Sequence, residues 1–271
     1  MMRRMVAMAA FVVVAGVSET AMAQIPPAEI SVYAAGSLRG AFTDAAKAWE
    51  SAHPGTLVRF TFGASGLLKD RLTQGERADV FASANMEHPQ ALQRQGLAQP
   101  VQRFATNALC ALTRPGLEVT PATLVQRMLD DGVKLGTSTP GADPSGDYTW
   151  EMFRRIERSG VAGAFDRLSA KALQLTGGPQ SPQAPAGRNV YGMLVEQGAA
   201  DLFITYCTNS AAVLREEPTF ASIRVPEPIN VGASYGIVAM KGASALAGDF
   251  VEYLLSADGQ AILARHGFSP R

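Results

Sequence analysis

The chain has 271 residues with 24 basic and 24 acidic side chains, so its formal net charge at pH 7 is zero. This balance gives it no electrostatic reason to seek nucleic acid or an anionic lipid surface. The length is sufficient for one large hydrophobic core or for two lobes of roughly 100 residues or more.

The first 23 residues have the pattern of a secretory signal peptide. Two arginines precede an apolar run over 5–17, and residues 21–23 read Ala-Met-Ala, which fits the small-x-small rule for cleavage. The alternative is a membrane anchor, but that needs a longer apolar run. We therefore expect an exported, periplasmic protein whose mature chain begins near Gln24.

Strand and helix patterns alternate along the rest of the chain, which predicts the α/β class. Runs typical of strands occur at 30–34, 56–62, 78–82, 108–113, 134–137, 201–207 and 235–240. Helical periodicity occurs at 38–53, 65–73, 120–130, 147–157, 243–255 and 257–266. The βαβαβ start implies a parallel sheet with helices on its faces.

The chain contains two cysteines, Cys110 and Cys207, and both lie in strand-like runs. In an oxidising compartment they are candidates for a disulfide. The alternative is two buried thiols that lie far apart. A bridge would close a long loop and, in the chain-entropy model, stabilise the fold by roughly 4–5 kcal/mol. Neither cysteine has a neighbouring His or Cys, so we expect no metal site there.

Ser37 and Ser65 follow the first two predicted strands in one shared pattern, small residues and a serine before an apolar helix (YAAGSLRGAF and FTFGASGLLKD). A helix start offers unpaired N–H groups and the positive end of the dipole. Two such starts at the carboxyl ends of parallel strands can converge on one anion. The alternative is that each serine only caps its helix. The repeated pattern favours the anion site.

Three later stretches offer further donors. The loop over 138–150 leads into a helix with free N–H groups around Ser145, and residues 186–198 form another loop-to-helix entry. Tyr206 ends the strand DLFITYC, where its hydroxyl can point across the mouth of a cleft. The alternative for Tyr206 is a half-buried core tyrosine.

Patterns typical of enzymes are weak in this chain. The segment GASGL lacks the second glycine of a nucleophile elbow, because Leu67 takes its place. Lys69 follows Ser65 by four residues, so the Ser-x-x-Lys signature fails as well. None of the three histidines has a catalytic motif around it. We expect no enzymatic activity and no cofactor.

Five motifs follow the signal peptide in a fixed order: AAGSLRGAF, FGASGLL, ADVFASAN, DPSGDYTW and LVEQGAADLFITYCTNS. Together they resemble the periplasmic molybdate-binding proteins of ABC transporters, over nearly all of the mature chain. The resemblance implies a type II periplasmic binding protein, in which two α/β lobes close on a ligand in the cleft between them. We expect residues 24–106 and 241–271 to form lobe 1, and residues 107–240 to form lobe 2.

The resemblance also implies a set of ligand-binding residues. The two serine ligands of the family fall on Ser37 and Ser65, its tyrosine on Tyr206, and one backbone ligand near Ser145. The remaining backbone ligand falls on Arg188 or Asn189, where the family has a small apolar residue. Arg188 adds a charge to the site or points away from it. The acidic residues Asp143 and Asp147 face solvent, or one of them takes part in binding.

The function implied is capture of molybdate or tungstate and delivery to an ABC transporter permease in the inner membrane, by a monomer. These tetrahedral dianions offer only acceptors, so hydroxyl and N–H donors suit them. Sulfate differs from molybdate mainly in size. The rival hypotheses are a receptor for sulfate, phosphate or an organic anion, a serine hydrolase, and a sensor or adhesion module that binds no small molecule.

Overall fold

The structure is a computed structural model that describes residues 27–185 and 187–270. The predicted signal peptide over 1–23 lies outside the described residues. Within the described ranges, no helix has both the length and the apolar character that crossing a membrane requires.

Strands and helices alternate along the chain and form two α/β lobes, as predicted. The strands are β1 (Ala28–Ala35), β2 (Thr56–Gly63), β3 (Val80–Ser83), β4 (Gln102–Asn107), β5 (Leu109–Thr113), β6 (Leu135–Ser138), β7 (Leu173–Thr176), β8 (Leu202–Tyr206), β9 (Ala221–Arg224), β10 (Ala233–Ala239) and β11 (Ser269–Pro270). The helices are α1 (Arg39–Ala52), α2 (Ser65–Thr73), α3 (Glu87–Arg94), α4 (Leu124–Leu129), α5 (Pro144–Arg158), α6 (Ala164–Lys171), α7 (Val190–Glu196), α8 (Cys207–Glu216), α9 (Ala245–Leu255) and α10 (Ala257–Arg265), with a 3₁₀ turn at Gly36–Leu38.

The first sheet has the strand order β11-β4-β10-β3-β1-β2. Strand β1 pairs in parallel with both β2 and β3. Strand β10 runs antiparallel to β3 and β4. Because β1 and β2 are parallel neighbours, the turns that follow them lie at the same edge of the sheet. These turns carry Ser37 and Ser65.

The second sheet has the strand order β7-β6-β8-β5-β9. Strand β6 is parallel to β7 and β8, whereas β5 is antiparallel to β8 and β9. The carboxyl ends of β6 and β8 therefore share an edge. This edge carries the loop that leads into α5 and, at the end of β8, Tyr206.

Strand β10 belongs to the first sheet, so the expected lobe boundary at 240/241 needs a correction. Ala233 pairs with Asn107 of β4, and Val238 pairs with Phe81 of β3. The chain thus crosses to the second lobe at Ala108 and returns between β9 and β10. A hydrophobic run indicates a strand, but it does not indicate the sheet in which that strand pairs.

Helix α1 packs its apolar face against the first sheet. Its buried residues are Ala41, Phe42, Ala45, Ala46 and Trp49. Phe42 contacts Phe60 and Phe104, with ring centroids 6.2 and 5.8 Å away. Burying a side chain of this size stabilises the fold by about 1.5–3 kcal/mol. The helix that begins just after Ser37 is therefore anchored on the sheet.

In the second lobe, Cys110 of β5 is joined to Cys207 by a disulfide. Cys207 is the first residue of α8, whereas the sequence pattern placed it in the preceding strand. The two Cα atoms lie 4.8 Å apart, and the cysteines are separated by 97 residues in sequence. The bridge therefore fastens the residue that directly follows Tyr206 to the neighbouring strand.

Candidate functional site

A cleft of about 1090 Å³ lies between the two lobes and is lined by residues of both. Its wall includes the predicted site residues Ser37, Ser65, Arg188, Asn189 and Tyr206. Ser145 is fully buried and is not part of the wall. The lobes touch beside the cleft, where the Gly66 N–H donates to the Ala142 carbonyl oxygen at 3.0 Å.

The Ser37 hydroxyl is oriented by a chain of hydrogen bonds. Asn107 Nδ2 donates to the Tyr235 hydroxyl oxygen at 3.3 Å. Because Tyr235 accepts this bond, its own O–H is available to donate to Ser37 Oγ, which lies 2.9 Å away. Either hydroxyl can donate in this bond, and when Tyr235 donates, the Ser37 O–H is left for a ligand in the cleft.

The Ser65 hydroxyl has a similar arrangement. It accepts a hydrogen bond from the Ala84 N–H at 3.1 Å. A serine hydroxyl has one donor and two acceptor positions, so this bond leaves the Ser65 O–H free to donate. Ser65 is 1% exposed and is the first residue of α2. Its position is therefore fixed by both the helix and the neighbouring turn.

Neither serine caps a helix through its side chain. The N-cap residue is Ala35 for the 3₁₀ turn, Leu38 for α1 and Ala64 for α2, and none of the three ends has a side-chain cap bond. The alternative that these serines only cap their helices is therefore wrong. Both hydroxyls remain on the cleft wall instead.

Tyr206 brings a third hydroxyl to the cleft, from the carboxyl end of β8. Its side chain is 2% exposed, and its hydroxyl has no hydrogen-bond partner within the described residues. Burial, and next the neighbouring Tyr235, raise the pKa of Tyr206 well above its ordinary value, so the group stays a donor. An unpaired buried donor costs about 1–3 kcal/mol. An anion in the cleft would satisfy it.

Asp143 places a carboxylate on the wall of the second lobe. It is the N-cap of α5, and its Oδ1 accepts the Ser145 N–H at 3.0 Å. The backbone donor that the family resemblance assigns to the ligand therefore already has a partner. Burial raises the pKa of Asp143 to about 6, although the Ser145 N–H and the Ser138 hydroxyl act in the opposite direction.

The second predicted backbone donor is also occupied. The Asn189 N–H donates to Glu216 Oε2 at 2.9 Å, and the Asn189 side chain caps α7. The Arg188 guanidinium lies 2.5 Å from Glu196 and 3.8 Å from Glu217. Its charge is thus engaged with carboxylates of its own lobe, although the residue lies on the cleft wall.

Arg39 is a cleft residue that the sequence analysis did not single out. Its guanidinium lies 4.6 Å from the centre of the Phe62 ring, on the cleft wall. Among the described residues, no carboxylate lies within 4.0 Å of it. The sequence could have indicated it, because Arg39 follows Ser37 by two residues in the motif YAAGSLRGAF. Arg39 therefore gives the first lobe a cation that an anion could approach.

Thr208 is a second cleft residue that sequence reasoning missed. Its hydroxyl accepts from Asn107 Nδ2 at 2.8 Å, so its own O–H remains a donor. The signal was weak, because Thr208 lies inside α8, a helix that the hydrophobic pattern did not predict. It extends the set of hydroxyl donors around Ser37.

The histidine on the cleft wall does not pair with a serine. His266 Nε2 lies 2.9 Å from Asp44 Oδ2, whereas the Ser37 and Ser65 hydroxyls bond to Tyr235 and the Ala84 N–H. Within the described part of the chain, no group of three His, Cys, Asp or Glu residues could hold a metal ion. His266 is therefore engaged with Asp44 rather than with either serine.

Comparisons with known proteins agree with this architecture. The sequence model of a family described as bacterial extracellular solute-binding protein matches residues 30–269. An uncharacterized protein of Pasteurella multocida is 38% identical over 244 residues, which are 88% of this chain and 98% of the relative. The molybdate-binding protein ModA of Mycobacterium tuberculosis is 30% identical over 246 residues, which are 89% of this chain and 84% of the relative.

A solved structure shares the two-lobed fold. The periplasmic molybdate-binding protein of Azotobacter vinelandii matches with a TM-score of 0.71 at 20% identity, over 89% of this chain and 99% of that one. At this identity the match concerns the fold. It agrees with the arrangement of two α/β lobes around a cleft.

Proposed function

The chain belongs to the family of bacterial extracellular solute-binding proteins, and from this premise we propose that it captures an oxyanion and delivers it to the permease of an ABC transporter. Molybdate or tungstate is the first candidate, because relatives at 30% identity are molybdate-binding proteins. One observation carries the proposal. The hydroxyls of Ser37, Ser65 and Tyr206 line one cleft from both lobes, and that of Tyr206 has no partner within the described residues.

The chemistry of these groups suits an unprotonated oxyanion. Each hydroxyl can donate one hydrogen bond to a ligand that offers only acceptors. Hydrogen bonds to a charged partner contribute about 1.5–3 kcal/mol each. Ligand binding would therefore draw the two lobes together, because the donors come from both.

Closure is the mechanism that we propose for capture. The closed state makes contacts to the ligand that the open state lacks, so the ligand shifts the population toward it. The ligand is cargo and no bond in it changes. The monomer works in the periplasm, without a cofactor, and presents its closed form to a permease in the inner membrane.

A second candidate is a receptor for another anion, such as phosphate or an organic anion. Two observations favour it. Both predicted backbone donors of the second lobe already have carboxylate partners, Asp143 and Glu216. The cleft volume of about 1090 Å³ also lies just above the range usual for small-molecule sites, so a ligand larger than a tetrahedral oxyanion would fit.

Thermal unfolding of the mature protein with molybdate, tungstate, sulfate or phosphate, at matched ionic strength, tests the proposal. A ligand present at about 100 times its dissociation constant adds about 2.7 kcal/mol of stability. We expect a rise in Tm with an oxyanion, and a smaller rise in a Ser37→Ala, Ser65→Ala double variant. If no oxyanion raises the Tm, or if the double variant binds as well as the wild type, the proposal fails.

A further inference from the structure

The side chain of Asn107 lies where the chain passes from the first lobe to the second. Asn107 is the last residue of β4 and is 8% exposed, and the crossing begins at Ala108. Its Oδ1 accepts the Ala108 N–H at 2.9 Å. Since a flipped amide would set Nδ2 against this N–H, the backbone determines which end of the amide points away from it. That end is Nδ2, which can only donate.

The two N–H bonds of Nδ2 are directed to one hydroxyl in each lobe. Nδ2 donates to Thr208 Oγ1 of the second lobe at 2.8 Å and to the Tyr235 hydroxyl oxygen of the first lobe at 3.3 Å. Thr208 is held beside the crossing by the disulfide of Cys207 and by the Cys207 N–H, which donates to the Ala108 carbonyl oxygen at 2.9 Å. Every polar atom of the Asn107 side chain therefore has a partner.

The bond from Asn107 to Tyr235 decides the direction of the next bond. Tyr235 is fully buried and is not on the cleft wall, and the partners of its hydroxyl among the described residues are Asn107 Nδ2 and Ser37 Oγ. Because Nδ2 cannot accept, Ser37 Oγ is the acceptor available to the Tyr235 O–H. If Ser37 donated instead, the Tyr235 O–H would be buried without an acceptor, which is unfavourable.

The hydroxyl of Thr208, on the cleft wall, is set in the same way. Its Oγ1 accepts from Asn107, and within the described part of the chain the hydroxyl makes no further hydrogen bond. Its O–H is therefore left to donate. The oxygens of an ionised oxyanion only accept, so the amide gives both hydroxyls the direction that such a ligand requires.

We infer that Asn107 is a positioning residue of the anion site, which holds the Ser37 and Thr208 hydroxyls as donors from the crossing between the lobes. It acts on Ser37 through Tyr235 and on Thr208 directly, and it is not itself on the cleft wall. This inference rests on the proposed anion-binding function and refines it. One amide thereby serves donors on both sides of the cleft.

The variant Asn107→Asp tests the direction of these bonds. The side chain keeps its size, but an ionised carboxylate only accepts, so Tyr235 and Thr208 would donate to it and Ser37 would donate to Tyr235. We expect anion affinity to fall about tenfold or more. Titration calorimetry at about pH 8, where a carboxylate is ionised, measures this with whichever of molybdate, tungstate, sulfate and phosphate binds the wild type most tightly.

A double-variant comparison separates the direction of the bonds from the added negative charge. Ser37→Ala should lower the affinity about tenfold in the wild type, but much less in the Asn107→Asp background, where Ser37 no longer donates to the ligand. A charge effect alone would leave the cost of Ser37→Ala unchanged.

Asn209→Asp is the matched control. Asn209 is on the cleft wall, and its Nδ2 donates to Thr205 Oγ1 at 2.9 Å, outside the chain of bonds that reaches Ser37. The substitution adds the same charge, so Ser37→Ala should cost as much affinity in this background as in the wild type.

Neutron diffraction from a deuterium-exchanged crystal of the ligand-free wild type shows the same directions without a substitution, so it decides the question if Asn107→Asp does not fold. We expect deuterium on the Tyr235 hydroxyl oxygen, directed at Ser37 Oγ. Deuterium on Ser37 Oγ that is directed at Tyr235 would overturn the inference.

The outcomes separate this inference from the function beneath it. If an oxyanion binds and Ser37→Ala costs the same affinity in the wild type and in the Asn107→Asp background, the receptor function stands and this inference is overturned. If none of the four anions binds the wild type, the proposed function fails, and the inference fails with it.

Discussion

The two halves of the cleft wall differ in how their donors are used. In the first lobe, Ser65 accepts from the Ala84 N–H and keeps its own O–H, and Ser37 shares a hydrogen bond with Tyr235 in which either hydroxyl can donate. In the second lobe, the N–H groups of Ser145 and Asn189 donate to carboxylates of the same lobe. On this half of the wall, the hydroxyl of Tyr206 is a buried donor without a partner among the described residues.

The two halves are both built from strands followed by helices, but they differ in which donors already have protein partners. The strand-turn-helix units stay in place, since they depend on buried apolar side chains such as Phe42. A single carboxylate at the start of a helix can occupy one of these donors, as Asp143 does with the Ser145 N–H at the start of α5. Substitutions in each half should therefore have different effects.

The largest expected effect comes from the disulfide of the second half. Replacing Cys110 and Cys207 by Ala should lower the free energy of unfolding by about 4–5 kcal/mol, because the bridge closes a loop of 97 residues in the unfolded chain. Urea unfolding of the variant and the wild type measures this. Thiol labelling of the unreduced, denatured wild type is the control. An unchanged midpoint, or two labelled thiols per chain, would contradict the prediction.

The next effect is a pH dependence of stability that comes from Asp143 in the second half. The folded-state pKa of Asp143, about 6, lies above the ordinary value of about 3.9, so the folded state binds the proton more tightly. The contribution of Asp143 to the free energy of unfolding therefore falls by about 2–3 kcal/mol as the pH rises from about 4 to about 6. The carboxyl of Asp147 and the hydroxyls of Tyr191, Tyr206 and Tyr235 are the titratable groups coupled to it.

Urea unfolding of the wild type and of Asp143→Asn across this pH range measures that contribution as a difference. Subtracting the two curves cancels the carboxylates whose pKa lies below the ordinary range, such as Glu76 and Asp44. The wild type should lose its advantage over the variant as the pH rises. A difference that does not change with pH would show that the pKa of Asp143 is not raised in the folded state.

Single hydroxyl deletions should distinguish the two halves by the sign of their effect on the ligand-free protein. Tyr206→Phe removes a donor without a described partner, so the free protein should be as stable as the wild type or more stable. Ser65→Ala also removes the acceptor of the Ala84 N–H, so the free protein should lose about 1 kcal/mol. Both should weaken anion binding by about 1–3 kcal/mol, measured by calorimetry. If both variants lost the same amount of stability without ligand, the predicted difference between Tyr206 and Ser65 would be wrong.

The smallest effects concern the two arginines of the wall. Arg188→Gln breaks an exposed ion pair and should change stability by less than about 1 kcal/mol and anion affinity very little. Arg39→Gln removes a cation with no described carboxylate partner, so anion affinity should fall severalfold at low salt and less at high salt. Titrations at two salt concentrations measure both. If Arg188→Gln lost more anion affinity than Arg39→Gln, the prediction that the cation available to an anion lies in the first half would be wrong.

Much of the fold could be predicted where periodicity and neighbouring strands agree. The residues Phe42, Ala45, Ala46 and Trp49 lie on one helical face in the sequence and are buried in the structure. Helix α8 was missed because Cys207 continues the apolar run of β8 without a break. The sheet to which β10 belongs was also missed, since long-range pairing leaves no local pattern.

The site shows a similar division. Ser37, Ser65 and Tyr206 stand in motifs at strand ends, so sequence reasoning could place them on the cleft wall. The fate of the N–H groups could not be predicted, because the partner of Asn189 is Glu216, 27 residues away. The partner of Ser145 is only two residues distant, but whether Asp143 caps the helix or faces solvent depends on the loop geometry.

The contact between Gly66 and Ala142 bears on how long a captured anion remains bound. This backbone hydrogen bond joins the start of α2 to the opposite lobe at 3.0 Å, without involving any side chain. A Cβ at Gly66 would lie 2.5 Å from the Ala142 oxygen, so only glycine lets the lobes approach this closely. Separation of the two lobes breaks this bond. Under the proposed function, the dissociation rate of the ligand would therefore depend partly on a contact that the ligand itself does not make.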